Sequence, residues 1–152
     1  MAEREPPRVG EGRTGSVVDR LFWSGHANPW SVWTFVLAYP MLVYAIYRRH
    51  RPLLVGTLLF VALNPVLAPP PADDRAWATR VVLGERVWLE GGVWPSRDLF
   101  FAVLAAPIYL FTLGSAARRR PARTAVGVVA SVAAMLLFFD RMAGRYDGRT
   151  GR

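Results

Sequence analysis

LFFAVLAAPIYLFTLGSAA, residues 99–117, contains no ionisable side chain except Tyr109. Three other stretches share this character, tyrosines apart: residues 30–47, 53–68 and 124–139. Two of the four lie near the length of about 20 residues that crosses a bilayer, and two are a little shorter. A soluble helix shows a polar face at every turn. These blocks are apolar all round, and uninterrupted apolar runs of this length are rare in soluble bundles. The pattern predicts an all-α fold, an integral membrane four-helix bundle over residues 21–139. A disordered polar tail is expected over 1–20 and a polar C-terminal tail over 140–152.

Outward from the apolar blocks, the charges divide unequally. If all four blocks cross a bilayer, alternate connections face opposite sides. One side then carries only two short turns, with Arg48, Arg49, Arg51 and Arg118, Arg119, Arg120, Arg123, and no acid. The other side carries all 11 acidic side chains and the remaining arginines. Dense arginine in short loops beside spans marks the cytoplasmic face. The turns at 48–52 and 118–123 are therefore expected in the cytoplasm, with both termini outside. The net charge of +8 does not point to nucleic acid, because the chain has no lysine and its arginines are spread through every loop. With 0 cysteines, disulfides, thiolate catalysis and zinc–thiolate sites are excluded. Residues 1–20 show no apolar core of a secretory signal, so targeting is expected to come from the first span.

The connection between the second and third blocks is the longest. Asp73 or Asp74 can cap a helix running to Glu90, in which Trp77, Val81, Val82, Trp88 and Leu89 alternate with Arg80, Glu85 and Arg86. The simplest reading is an amphipathic interfacial helix over 73–90, lying on the membrane surface and ended by Gly91-Gly92. All six tryptophans fall on the acid-bearing side or at its edge, where indoles favour the headgroup layer. Asn28 is placed to cap the first helix, with Pro29 at its first position. Gly127, Ala130, Ser131 and Ala134 form a small-residue face that permits close helix packing. The turn Arg48-Arg49-His50-Arg51-Pro52 echoes Arg118-Arg119-Arg120-Pro121.

Chemistry-bearing residues are few. No block contains Asp, Glu, Lys, Arg or His, which counts against a proton-coupled pump. Pro40, Pro65 and Pro107, with Asn64 before Pro65, are candidate helix breaks. Asn64 reads more readily as an interhelical hydrogen bond than as a ligand contact. His26 has carboxylates within reach in the chain, Glu85 among them, and a His–carboxylate pair can move protons near neutral pH. No metal site and no cofactor are expected.

Three blocks carry a resemblance. Phe22-Trp23 with His26-Ala27-Asn28-Pro29-Trp30-Ser31-Val32-Trp33-Thr34 resembles the opening motif of a family of small prokaryotic multi-pass membrane proteins of unknown function. Asn64-Pro65 with Pro69-Pro70-Pro71, and Trp77-Ala78-Thr79-Arg80 with Leu83-Gly84-Glu85-Arg86-Val87-Trp88, resemble its later blocks. The resemblance implies a multi-pass membrane protein and supplies no activity. It directs attention to the surface bearing these blocks.

The expected function is that of a non-enzymatic accessory or structural membrane protein. The candidate binding surface comprises His26, Asn28, Trp30, Trp77, Arg80, Glu85, Arg86 and Trp88. Its expected partners are the lipid bilayer and a membrane protein or a second copy of the chain, not nucleic acid. One alternative is a small oligomeric channel or carrier, and another is an interfacial enzyme using His26 with a carboxylate.

Overall fold

The computed structural model describes residues 23–151, which are helical apart from short connections; no strand occurs among them. Residues 23–26 form a helical turn. Five helices follow: α1 Pro29–Arg48, α2 Arg51–Leu67, α3 Trp77–Glu90, α4 Arg97–Ala117 and α5 Pro121–Thr150. The four apolar blocks fall on α1, α2, α4 and α5, the second running one residue past α2 to its cap, Ala68. Three of these, α1, α4 and α5, are long and apolar enough to cross a membrane, and α2 is a shorter apolar helix. The tail expected over 1–20 lies outside the described residues.

Local chemistry sets most helix starts. Asn28 caps α1 through Oδ1, which accepts from the Trp30 N–H at 2.9 Å, with Pro29 at the first position. His50 Nδ1 accepts from Leu53 N–H and caps α2, and Ser96 Oγ accepts from Leu99 N–H and caps α4. Each arginine turn closes by the same device. Arg49 and Arg119 adopt left-handed backbone, φ 54° and 52°. The next residue reaches back five positions, His50 N–H to Ala45 O and Arg120 N–H to Ser115 O. These are Schellman closures with arginine where glycine is usual. The chain is thus two similar hairpins, α1–α2 and α4–α5. Tyr47 of α1 lies with Pro121 and Thr124 of α5 around one shallow cleft, so both arginine turns sit at the same end.

The core lies at the other end. Ala27, Val32 and Val36 meet Val81 and Val82 of α3 and Met135, Phe139, Met142 and Ala143 of α5. Two glycines permit this packing. A Cβ on Gly84 would fall 1.8 Å from Met142 O, so α3 touches the backbone of α5. A Cβ on Gly127 would fall 2.5 Å from Thr112 Oγ1, so the small face of α5 meets α4.

Several expectations need correction. Residues 140–150 are not a tail but the last turns of α5, ending at Gly151 with φ 73°. Their apolar residues continue the helical rhythm of Met135 and Phe139 through Met142 and Ala143, and α3 covers them. Helix α3 begins at Trp77 rather than 73, without a side-chain cap. Asp73 instead bonds Arg75 N–H, and Asp74 accepts from the Tyr146 hydroxyl. The buried face of α3, Ala78, Thr79, Val81, Val82 and Gly84, packs on α5 and α1. Pro40, Pro65 and Pro107 do not interrupt their helices, since each proline removes one backbone donor while the flanking bonds persist.

Candidate functional site

At the α3 end of the bundle, the second residue of α4 meets the last turns of α5. Asp98 is 5% exposed. Arg141 donates to its Oδ1 from Nε at 2.9 Å and from Nη2 at 2.6 Å. Arg145 donates to Oδ2 from Nε at 3.1 Å and through a second, shorter bond from Nη2. The two arginines are one helical turn apart, so one carboxylate receives two forks from one face of α5. Asp98 precedes the apolar stretch 99–117. Burial raises its pKa, but the bonds from Arg145 and Arg141 and their charges outweigh burial and hold the carboxyl below its ordinary 3.8. Arg97 adds a further exposed cation to this cleft.

The candidate residues around α3 are tied together by this same docking. His26 Nε2 stands 3.8 Å from Glu85 Oε2, beyond hydrogen-bond length but within ion-pair reach. Arg86 bonds Glu90 at 2.8 Å and lies 5.9 Å from the centre of the Trp23 ring. Arg80 pairs with Asp147 at 3.3 Å, too poorly aligned for a hydrogen bond, and donates to Arg75 O. Trp77 donates to Asp140 at 3.2 Å and packs on Trp33 and Phe139. Trp88 donates to Ser96 at 2.9 Å and packs on Phe138. Asn28 donates from Nδ2 to Pro69 O, and Asn64 donates to Ser31 O and Oγ, both at 3.0 Å. These bonds join α1 to the far end of α2, where Gly25 also lies against Pro65 O.

Deeper in the bundle, hydroxyls from α1 and α4 converge on Ser131 of α5. Tyr39 donates to its Oγ at 2.9 Å, Thr112 shares a 3.0 Å bond with it, and Tyr109 donates to its carbonyl. Ser131 and Thr112 are fully buried. Beside this cluster lies a half-enclosed apolar groove of about 390 Å³, walled by all four apolar helices. Helix α2 packs mainly on α1 and has little contact with α4, which leaves the groove open on that side.

A family model described as a family of unknown function, DUF6653, matches residues 18–151. The chain belongs to this family. No curated protein and no solved structure matches it. The resemblance carried by the three sequence blocks was likewise to a family of unknown function. The DUF6653 match runs further, through α5.

For this DUF6653 member, the structure separates the candidate residues into two sets. His26, Arg80, Glu85 and Arg86, with Trp77 and Trp88, meet where α3 docks, and most of them hold the fold together. Trp30 stands apart at 77% exposure, and Trp94 is exposed similarly at 80%. Asp98, Arg141 and Arg145 were not singled out from the sequence. The four-residue spacing of the arginines was a legible signal, but their carboxylate lies more than 40 positions away. Among the described residues, no group of three metal-ligating side chains gathers.

Proposed function

We propose that this chain is a multi-pass membrane protein whose apolar helices are solvated by lipid. In this reading it acts without catalysis, as a structural or accessory component. One observation carries it: the most apolar helix is the one least covered by the rest of the chain. In α2 only Thr57 and Pro65 are buried, while Leu59, Phe60, Leu63 and Leu67 are exposed. Exposed Leu37, Leu104, Leu110, Val126 and Val129 continue the apolar surface over the other three long helices. So large a patch in water would drive aggregation, and lipid removes that penalty. The exposed Trp30 and Trp94 stand at the α3 end, where an interfacial belt is expected.

The bundle is oriented with the turns at 48–52 and 118–123 in the cytoplasm and with α3 and Thr150 outside. Alkaline extraction of cell membranes tests the first point: the chain should stay in the pellet until detergent is added. Recovery as a monodisperse species in buffer would refute the reading. Reporter fusions after Arg119 and after Arg152 test orientation, and an inverted pattern would overturn it.

A second reading keeps one observation. His26 Nε2 and Glu85 Oε2 stand 3.8 Å apart, too far for direct proton transfer but close enough for exchange through one water or after a small closure, which favours acid–base chemistry at the membrane surface.

A further inference from the structure

The arginine cleft and the apolar groove are lined by successive turns of the same two helices, α4 and α5. Along α4, Asp98, Phe101, Ala102, Ala105 and Tyr109 share a face, spaced as successive turns. Asp98 belongs to the cleft, and the other four line the groove. On α5, Arg141 and Arg145 line the cleft, while Phe138 and Ala134, one and two turns earlier, line the groove. The junction is built from side chains in contact. Arg141 lies 5.5 Å from the centre of the Phe101 ring, and Phe101 stacks on Phe138.

The geometry points to a binding site for one anionic phospholipid, with its phosphate in the cleft and one acyl chain in the groove. Charge supports the head: Arg97, Arg141 and Arg145 face a single acid, Asp98, so the cleft is net cationic. Each of the two forked guanidiniums spends only part of its N–H groups on Asp98, and both are about two-fifths exposed. Shape supports the tail. The groove falls within the range of about 300–1,000 Å³ typical of small-molecule sites. Its walls are apolar side chains, and it opens between α2 and α4, where a lipid in the surrounding layer can enter from the side. The site belongs to the leaflet opposite the arginine turns. Arg97 and the cleft-facing N–H groups of Arg141 and Arg145 are the head-selecting elements, and Ala102 and Ala105 keep room for the chain.

This inference rests on the membrane reading above, which alkaline extraction tests separately. The site itself is tested on the detergent-purified full chain. It is offered palmitoyl-oleoyl phosphatidylglycerol or palmitoyl-oleoyl phosphatidylcholine, and retained lipid is counted by native mass spectrometry. The expected result is a preference for phosphatidylglycerol of about five-fold or more, as for one arginine near an anionic headgroup. Arg97→Gln, at an exposed position, should lower phosphatidylglycerol retention more than phosphatidylcholine retention and so reduce that preference. Ala105→Phe should displace both lipids by filling the groove. Leu58→Trp narrows the same groove from the exposed wall of α2, and should act likewise even if the Ala105 variant fails to fold. Equal retention of the two lipids by the wild type would overturn the site, as would retention indifferent to Leu58→Trp. Either result would leave membrane residence standing, whereas release by alkali alone would remove both readings.

Discussion

Helix α2 carries one charged residue, Arg51, and buries only Thr57 and Pro65. Helix α3 carries Arg80, Glu85, Arg86 and Glu90, yet buries five residues in a shorter length. In water the more apolar helix would be the more buried. Here the order is reversed, which teaches that apolarity does not decide which helix this fold covers. Helix α3 is held by close backbone approach at Gly84 and by polar anchors: Trp77 to Asp140, Arg80 to Asp147 and Trp88 to Ser96. Helix α2 packs mainly on α1 and keeps a wide apolar face exposed. On the proposed membrane reading, where lipid is the solvent, leaving leucine outside costs little and helices associate through small residues and hydrogen bonds.

A pair of identical substitutions separates the two helices most sharply. Gly84→Ala places a methyl against the carbonyl of Met142, so α3 must withdraw from α5. We expect a loss of about 3 kcal/mol, at the upper end of overpacking effects, read as a large drop in thermal midpoint in detergent. An unchanged midpoint would mean that α3 does not dock as described.

A smaller effect is expected where the anchors of the α3 end include charge. Asp98→Ala leaves Arg141 and Arg145 facing each other without their acid. Breaking a fully buried pair costs about 3–5 kcal/mol. Solvent reaches these arginines, so we expect nearer about 2 kcal/mol. Arg145→Ala should cost less, because Arg141 still neutralises the acid. The carboxyl's pKa is lowered in the fold, so this stabilisation is complete above its ordinary pKa and is lost as pH falls through the lowered value. The wild-type midpoint should therefore decline below about pH 4, and the Asp98→Ala midpoint should decline less. Parallel pH profiles would break the assignment.

The smallest effect belongs to α2. No atom lies within 4 Å of a Cβ placed on Gly56. Gly56→Ala should leave the fold intact and stabilise it by up to about 1 kcal/mol through helix propensity. A marked loss there would reveal a partner covering α2, and the contrast with Gly84→Ala would disappear.

The two regions were unequally legible. Asn28 as the cap of α1, the four apolar helices and the two arginine turns follow from residues close together in the chain, and they were read directly. Asn64 as interhelical glue was also legible, because a lone amide in an apolar helix has few other uses. The last turns of α5 were not read. Arg141, Gly144, Arg145 and Gly148 look like a polar tail until α3 covers Met142 and Ala143. The sequence places Trp77 and Trp88 on a candidate surface for lipid or a membrane partner, since indoles suit the headgroup layer; it does not show that each also has a hydrogen-bond acceptor within the protein.

By itself the sequence determined where the four apolar helices run and where the two arginine turns fall, because uninterrupted apolar length, caps and turns act over a few residues. The tertiary structure alone decided that Asp98 meets Arg141 and Arg145, that His26 meets Glu85, and that a groove opens beneath the arginine cleft. Those pairings join positions tens of residues apart, and they depend on how closely Gly84 and Gly127 let helices approach. No local pattern encodes that distance.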